Sequence, residues 1–530
     1  MHNVNRPFEL LPLHGVDASR AVERRAQADL PPHTLMRRAG HAVARLALAV
    51  APHAQRVWIA AGPGNNGGDG FEAAILLKQS GREVHVTACG DPAKLPPDAA
   101  DARARAEAAG VAIDAANDKA TGNPMADAAA PAFVRSLAAH DLAIDALLGL
   151  GASRAPQGPI AALIGVLGNL PCPVLAVDLP SGLDADTGAL LGDPHVTAAH
   201  TLSLLTLKPG LHTGHGRDAA GDVWFDDLGV APGETTPDAW LTGADAARAV
   251  LRPRAHAQHK GSFGDVAVVG GAPGMTGAAL LAARAAHAAG AGRVFVDLLG
   301  AANADLTLDI ARPELMFRHG WWQGLPATIA DATVVCGCGG GDAVRAALPR
   351  LLSLARRLVL DADALNAIAL DPALQAQLST RAGRGFGTVL TPHPLEAARL
   401  AGIAAREVQA DRLGGAQALA QRFGCVVLLK GSGSVIAAPG RAPSINPTGN
   451  AALATAGTGD VLAGWLGGLW AQDGDVTRAF EIAAAAAHLH GAAADAADVA
   501  PLRAADLVER MLALRAVRAV RAVRAGHAAR

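Results

Sequence analysis

The stretch ATAGTGDVLAG, residues 454–464, combines a glycine loop with a carboxylate. Gly457, Thr458 and Gly459 precede a run of helical character, an arrangement that presents backbone N–H groups to an anion such as a phosphate. Asp460 follows at once, where the partial positive charge of a helix N-terminus favours an ionised side chain. We predict that the loop steadies a phosphoryl group while Asp460 takes a proton from the hydroxyl that attacks it. The alternative is that Asp460 only caps the helix, a stabilisation of about 1 kcal/mol.

A second glycine-rich stretch, GPGNNGGDG, lies earlier in the chain. The amide oxygens of Asn65 and Asn66 suit a hard cation or a ribose hydroxyl, and Asp69 adds a charge. Asp145 and Asp178 stand at the ends of later predicted strands, and each is followed by a loop that contains glycine. These acid-bearing loops predict one shared pocket, although turn formation and helix capping are alternative reasons for such residues.

Strand, glycine loop, helix and strand follow one another in both halves of the chain. RVWIAAG, FEAAILLKQSG and REVHVTAC have the patterns of strand, helix and strand, and DVAVVGGAPGMTGAALLAARAAHAAGAGRVFV repeats this order later. Further strands are predicted at HDLAIDALLG, PVLAVDLPSG, TVVCG, RLVLDAD, GTVLTPH and CVVLLKG. Such βαβ units form parallel sheets that bind ligands at the carboxyl ends of their strands. The predicted fold class is therefore α/β, with two tandem three-layer sandwiches.

The chain of 530 residues is long enough for two or three domains. Between residues 229 and 254 turn formers replace the strong apolar runs, which predicts a first domain over residues 1–232 and a second over 233–514. Residues 515–530 contain the repeat RAVRAVRAVRAG and are predicted to form a solvated or disordered basic tail. An anionic partner for that tail is the alternative.

The composition excludes several classes of partner. A formal net charge of −2, 3% aromatic residues and no tyrosine argue against nucleic acid and against an acidic membrane surface. Five scattered cysteines suit a reducing compartment, and Cys336 with Cys338 lacks the second ligand pair of a zinc site. Without a signal pattern or a run of eighteen apolar residues, we expect a cytoplasmic protein.

Three motifs of the first domain, NNGGDG, DALLGLGASR and VDLPSGLDADTG, resemble the YjeF N-terminal domain, the NAD(P)HX epimerase, over residues 35–210. This resemblance implies a Rossmann-like sandwich that inverts C6 of a hydrated nicotinamide, with Asp178 as the acid/base residue. It also implies a potassium ion bound by Asn66, Asp145 and the backbone around Ser181. The substrate would be bound by Asn65, Asn66, Gly67, Gly68 and Asp69, and its phosphates would be covered by Gly149, Leu150, Gly151, Ala152, Ser153, Arg154 and Ala155.

Five motifs of the second domain, HKGSFG, GGAPGMTGAA, DADALN, TPHPLEAARL and ATAGTGDVLAG, follow in this order across residues 259–490. They resemble the ADP-dependent NAD(P)HX dehydratase of the ribokinase-like superfamily. The resemblance implies phosphorylation of the C6 hydroxyl by ADP or ATP with Mg²⁺, then loss of phosphate, with Asp460 as the base. ADP would leave as AMP. Substrate contacts would come from Ala278, Gly339 or Gly341, and His393, and nucleotide contacts from Lys430, Gly431, Ser432, Gly433, Ser434 and Gly459.

The chain departs from that family at the usual GPGLG, which is here GCGGG. Cys338 replaces the proline and Gly340 the leucine, which predicts a more flexible loop. His488 and His490 lie on an alanine-rich helix and are predicted to be packing or surface residues.

The two resemblances together imply a bifunctional repair enzyme acting on NADHX and NADPHX with ADP or ATP, and we expect a homo-oligomer. A small-molecule kinase of the ribokinase-like group is one alternative. A first domain that only binds ligand, beside an active second domain, is another.

Overall fold

A computed structural model describes residues 1–116, 132–251, 253–300, 306–496 and 502–515 of the chain. The chain forms two compact units. Unit 1 comprises Met1–Asn5 and Pro12–Ala239, and unit 2 comprises Arg6–Leu11 and the chain from Trp240 onward. The predicted basic tail lies, from residue 516 on, outside the described residues.

The first part of the chain forms a mostly parallel sheet with the strand order β1-β9-β8-β7-β6-β3-β4-β5, in which only the edge pair β1–β9 is antiparallel. The elements are β1 (His2–Asn3), β2 (Leu11–Leu13), α1 (Val16–Asp29), α2 (Thr34–Val50), β3 (Arg56–Ala61), α3 (Asn65–Gln79), β4 (Glu83–Ala88), α4 (Pro97–Ala108), β5 (Ala112–Ala115), α5 (Ala132–Arg135), β6 (Leu142–Ala146), α6 (Gly158–Leu167), β7 (Val174–Val177), β8 (His200–Leu204), α7 (Gly216–Ala219) and β9 (Asp222–Asp226).

The alternation of side chains along β3 separates two hydrophobic cores. Val57 and Ile59 pack with α2 and α3 on one face, whereas Trp58 and Ala60 pack with α6 on the other. Successive residues of a strand point to opposite faces, so an apolar strand of this kind is buried on both sides. Unit 1 is therefore the predicted three-layer sandwich.

Helix α3 begins earlier than the sequence predicts, at Asn65 instead of Phe71. A Cβ atom on Gly67 would overlap the carbonyl oxygen of Gly62, and one on Gly68 would lie 2.6 Å from the Met36 Cε. The two glycines thus let the first helical turn pack against the end of β3 and against α2. This packing outweighs their low helix propensity.

Unit 2 is built around a second sheet, with the strand order β13-β12-β11-β14-β15-β16-β17-β18-β19-β10. Its strands are parallel from β13 to β17, β18 is antiparallel to both of its neighbours, and β19 pairs in parallel with β10. The elements are β10 (Ala239–Leu241), α8 (Ala244–Val250), β11 (Asp265–Gly270), α9 (Thr276–Ala288), β12 (Arg293–Leu298), β13 (Met316–Phe317), α10 (Pro326–Asp331), β14 (Thr333–Cys336), α11 (Val344–Leu354), β15 (Arg357–Leu360), α12 (Ala362–Leu370), α13 (Pro372–Ser379), β16 (Gly387–Leu390), α14 (Pro394–Ala401), α15 (Ala405–Ala410), α16 (Arg412–Phe423), β17 (Val426–Leu429), β18 (Val435–Ala437), β19 (Ser444–Ile445), α17 (Thr458–Asp473) and α18 (Ala479–Asp495).

Strand β11 alternates in the same way as β3. Val266 and Val268 pack with α9, α17 and α18, while Ala267 and Val269 pack with α11 and the helices that follow it. The α/β prediction of two three-layer sandwiches is confirmed, and every strand predicted from a motif is present.

Residues 6–11 belong to unit 2 although they precede nearly all of unit 1. The carbonyl of Pro7 accepts a hydrogen bond from Ala244 N at 3.0 Å, and that of Phe8 accepts one from Asp245 N at 2.9 Å. The first N–H groups of a helix lack intrahelical partners, so this segment caps α8. The domains predicted from the sequence, residues 1–232 and 233–514, place residues 6–11 in the first domain and so omit their part in unit 2.

Candidate functional site

A cavity of about 700 Å³ opens in unit 1 at the carboxyl ends of β3, β6 and β7. This volume is in the range of small-molecule and cofactor sites. Gly67 and Gly68 do not line it, because they are buried in the packing of α3. The predicted residues in its wall are Asn65, Asn66, Asp69, Gly149, Leu150, Gly151, Ala152, Ser153, Arg154, Ala155 and Asp178.

Asp178 projects from the end of β7 and is paired with a lysine. Its backbone has a φ of 66°, in the left-handed region that side chains seldom adopt. The Oδ1 atom accepts hydrogen bonds from Lys208 Nζ and, at 3.2 Å, from Leu204 N. Lys208 is buried and also donates to the Leu204 carbonyl at 2.7 Å. The sequence analysis did not assign Lys208 to the site. The one feature that could have pointed to it is its position just beyond the end of a strand, that of β8.

Two further carboxyl groups face Asp178. Burial, Asp178 and Glu23, in that order, raise the pKa of Asp69 well above its usual range. Burial and Asp178 likewise raise the pKa of Glu23, which lies on α1. A carboxyl group whose pKa is raised thus stands near an aspartate paired with Lys208, and environments that separate two carboxyl pKa values favour distinct acid and base roles.

Asp145 is completely buried at the end of β6. Its carboxylate accepts hydrogen bonds from Ser181 N at 2.8 Å, Ser181 Oγ at 2.7 Å and Leu147 N at 3.1 Å. Burial raises its pKa to about 6. Within the part of the chain that the structure describes, no salt bridge reaches this carboxylate, which therefore lacks a compensating cation.

The Asn66 side chain lies by the same loop. Its Oδ1 atom would be 3.0 Å from a Cβ atom on Gly149, and its Nδ2 atom is buried with no hydrogen-bond partner among the described residues. Ser181 Oγ accepts a hydrogen bond from Leu148 N at 2.9 Å in the neighbouring turn. The residues predicted for potassium thus carry amide, carboxylate and hydroxyl oxygens at the loop after β6, where the buried Asp145 has no described salt-bridge partner.

In unit 2, a partly buried lysine lies beside the GTGD turn. Lys430 Nζ donates to Asp361 Oδ1 at 2.7 Å and lies 3.9 Å from Glu396 Oε2. A Cβ atom on Gly459 would be 3.3 Å from the same Nζ. The structure therefore brings together the DADALN, TPHPLE, LLKG and GTGD motifs, including the carboxylates Asp361 and Glu396 that the sequence analysis did not assign.

Asp460 is in the first turn of α17. Burial and the neighbouring Asp361 raise its pKa to about 6, although a hydrogen bond with Cys338 and the charge of Lys430 act in the opposite direction. We expected the helix terminus to favour the ionised form, but burial and Asp361 outweigh such an effect. A base with a pKa close to neutral is well suited to proton transfer.

Three of the predicted substrate-contact residues of unit 2, Ala278, Gly339 and Gly341, lie near one another. A Cβ atom on Gly339 would be 2.9 Å from Ala278 Cβ, so these two residues touch. Gly339 and Gly341 have φ values of 60° and 52°, and Gly341 N donates to Asp363 Oδ2 at 2.9 Å. Turns with positive φ favour glycine, which explains the residue type at both positions.

His393 caps α14. Its Nδ1 atom accepts hydrogen bonds from Leu395 N at 3.1 Å and Glu396 N at 3.3 Å. Its side chain is 46% exposed, and its Nε2 atom lies 3.3 Å from Glu396 Oε1. Burial and the charge of Lys430 lower the pKa of His393, which favours the neutral ring. The cap fixes the ring orientation and leaves part of the ring open to a ligand.

The loop after β17 has two turns with positive φ, 133° at Gly431 and 60° at Gly433. Ser434 Oγ donates to the Gly431 carbonyl at 3.2 Å, and the buried Arg412 donates to the carbonyl of the first loop residue at 3.1 Å. These contacts fix the backbone of the loop. It contains five of the six predicted nucleotide-binding residues, Lys430, Gly431, Ser432, Gly433 and Ser434.

The two histidines of α18 are buried and do not lie on the surface. His490 Nε2 lies 2.9 Å from the Thr458 carbonyl, and burial lowers the His490 pKa to about 4. The ring is therefore neutral and donates this hydrogen bond. Sequence reasoning missed that His490 fixes the start of α17.

One group of three potential metal ligands occurs among the residues that the structure describes. The ligand atoms of Cys338, Asp361 and Asp460 lie within 4.8 Å of one another. Mg²⁺ prefers an octahedron of oxygen atoms, whereas this group includes a thiol and holds the Lys430 ammonium at Asp361. The group does not fit a dedicated magnesium site.

In the described parts of the chain, no helix is both long enough and apolar enough to cross a membrane. The five cysteines are buried thiols.

Comparisons with known proteins match both units. Residues 32–210 match the family described as YjeF-related protein N-terminus, and residues 266–513 match the family described as NAD(P)H-hydrate dehydratase. The bifunctional NAD(P)H-hydrate repair enzyme Nnr of Escherichia coli is 38% identical over 475 residues, which cover 87% of this chain and 85% of that protein. The Coxiella burnetii enzyme of the same name is 34% identical over 489 residues, with coverages of 90% and 93%.

Among solved structures, the ADP/ATP-dependent NAD(P)H-hydrate dehydratase of Bacillus subtilis, co-crystallised with ATP and Mg²⁺, is 30% identical. It matches 52% of this chain and 96% of its own chain, with a TM-score of 0.42.

Proposed function

The chain belongs to the family of bifunctional NAD(P)H-hydrate repair enzymes, and from this membership we propose which residues carry out its two steps. Unit 1 interconverts R- and S-NAD(P)HX, and unit 2 dehydrates S-NAD(P)HX to NAD(P)H with ADP or ATP as phosphoryl donor. One observation carries the assignment. Each unit holds its predicted catalytic aspartate near a lysine, the buried Lys208 for Asp178 and the partly buried Lys430 for Asp460.

In unit 1 we assign the acid/base role to Asp178. Inversion at C6 requires the hydroxyl group to leave as water and a water molecule to add from the opposite face. The proton held by Asp69 protonates the leaving hydroxyl, and Asp178 accepts a proton from the water that adds. Lys208 holds the Asp178 carboxylate in place for this step. A potassium ion held by Asn66, Asp145 and the backbone at Ser181 would supply the positive charge that the buried Asp145 lacks.

In unit 2 we assign the base role to Asp460. It accepts the proton of the C6 hydroxyl, whose oxygen then attacks the terminal phosphoryl group of ADP or ATP and releases AMP or ADP. The phosphate leaves C6 as a proton leaves C5, which restores the ring double bond. Lys430 and the backbone of the loop that follows it bind the nucleotide phosphates. Mg²⁺ would arrive with the nucleotide and neutralise phosphate charge.

A mixture of R- and S-hydrated NADH, with K⁺ and Mg²⁺, tests both assignments. We would follow the dihydronicotinamide absorbance band after adding ADP, and in a parallel sample after adding ATP. Recovery of both epimers supports the proposal and identifies the nucleotide. Recovery that stops near the S fraction would reduce unit 1 to a binding domain. A stable phosphorylated product without recovery would favour the small-molecule kinase.

The homo-oligomer and the cytoplasmic location stay predictions. Light scattering of the purified chain tests the first, and fractionation of the source cells tests the second.

A further inference from the structure

Cys338 lies in the loop after β14 with its backbone held on both sides. Its carbonyl accepts a hydrogen bond from Gly271 N at 2.9 Å, and the next carbonyl, of Gly339, accepts one from Ala272 N at 2.6 Å. The Cys338 side chain has no solvent exposure. The loop is thus fixed despite its glycines, and the direction of the thiol is fixed with it.

The thiol faces the base assigned to the dehydration step. Cys338 Sγ, a carboxylate oxygen of Asp361 and one of Asp460 lie within 4.8 Å of one another, which places the thiol beside the Asp460 carboxylate. Burial, Asp460 and Asp361 raise the Cys338 pKa well above its usual range. A thiol that keeps its proton can act only as the donor toward an ionised carboxylate.

The other charged groups around Asp460 come from several elements. Asp361 and Asp363 stand at the end of β15 and the start of α12, and Lys430 stands at the end of β17. Glu396 and His490 face Lys430 from α14 and α18. The acidic neighbours oppose ionisation of Asp460, and Lys430 is shared with Asp361 and Glu396. Cys338 is therefore a donor that can favour the ionised base without adding a charge.

We propose that Cys338 is a positioning residue for the dehydration step: its Sγ–H donates to the Asp460 carboxylate and fixes the ionised side chain toward the substrate hydroxyl. The proposal rests on the function assigned to Asp460 above. The thiol itself takes no part in bond making, since both the proton transfer and the phosphoryl transfer proceed through Asp460 and the substrate oxygen.

The test compares four variants of the full chain. Cys338→Ala and Cys338→Val change the side-chain volume in opposite directions and share only the loss of the donor, whereas Cys338→Ser keeps a donor. Cys336→Ala is the matched control, because Cys336 is an equally buried thiol at the end of β14 that packs in the opposite core. The readouts are kcat and KM for S-hydrated NADH against pH, and a carbon-13 NMR titration of aspartate carboxyl groups, with Asp460→Asn to identify the signal.

We expect the acidic limb of the kcat–pH profile to move to higher pH by about 0.5 to 1 unit in both Cys338→Ala and Cys338→Val, because a hydrogen bond contributes roughly 0.5–1.5 kcal/mol. Cys338→Ser should keep the limb in place or lower it, and KM should not change. An unchanged limb in the two donor-free variants, or a uniform loss at every pH, would overturn the proposal. If the wild-type chain does not dehydrate the substrate, the assigned function fails, and the NMR titration still decides whether the thiol controls Asp460.

Discussion

The buried pair of Lys208 and Asp178 allows a quantitative prediction for Lys208→Met. The lysine Nζ donates to Asp178 Oδ1 and to the Leu204 carbonyl, and both charged side chains are buried. Methionine keeps the length of the side chain but leaves the carboxylate without its cation, near Asp69 and Glu23. Removing one partner of a buried ion pair costs about 3–5 kcal/mol. For a domain of this size that loss lowers the unfolding temperature by about 6 to 20 °C.

Differential scanning calorimetry of the full chain measures this effect, because a two-unit protein is expected to show more than one transition. The matched control is Lys94→Met, which removes an exposed lysine 3.9 Å from Asp91 and should change stability by less than about 1 kcal/mol. The double variant Lys208→Met with Asp178→Asn should recover most of the loss, since a neutral amide needs no cation. If Lys208→Met shifts no transition more than the control does, or if the double variant simply adds two losses, the electrostatic reasoning is wrong.

Three further predictions concern activity. Asp178→Ala should abolish epimerisation while S-NAD(P)HX is still dehydrated; unchanged consumption of the R epimer would show that another residue is the acid/base group. Asp145→Asn should remove any dependence of the epimerisation rate on KCl compared with choline chloride at equal ionic strength, and a dependence equal to that of the wild type would place the cation elsewhere. Asp460→Asn should lower kcat of dehydration by about 10²- to 10⁴-fold. Because Asp460 must be ionised to accept a proton and its pKa is about 6, wild-type kcat should fall as the pH drops below that value, and a profile that stays flat down to pH about 5 would contradict this role.

The strands were predictable because each is a short apolar run that ends in a turn-forming motif, and their order along the chain is enough to give parallel sheets. The carboxylates at strand ends were predictable for the same reason. Asp145 lies at the end of β6 and Asp178 directly follows β7, where the topology itself brings them to one edge of a sheet. Asp361 follows β15 in the same way, but no role was assigned to it from the sequence.

The sequence does not show which distant side chains meet at these edges. Lys208 looks like any lysine in a loop, and its role depends on a hydrogen bond across the sheet to Asp178. His490 belongs to an alanine-rich helix, and only the packing of α18 against α17 brings it to the Thr458 carbonyl. The early start of α3 depends likewise on tertiary packing, since two consecutive glycines predict a loop by propensity alone.

Because residues 6–11 cap α8, one cut in the chain does not give two intact units. A fragment that starts at Trp240 would lose the carbonyls of Pro7 and Phe8, and the N–H groups of Ala244 and Asp245 would have to find water instead. A fragment that ends at Ala239 would keep a segment whose partners are gone. Physical separation of the halves, by proteolysis or by gene fission, therefore has to begin with the first dozen residues as well as with the junction.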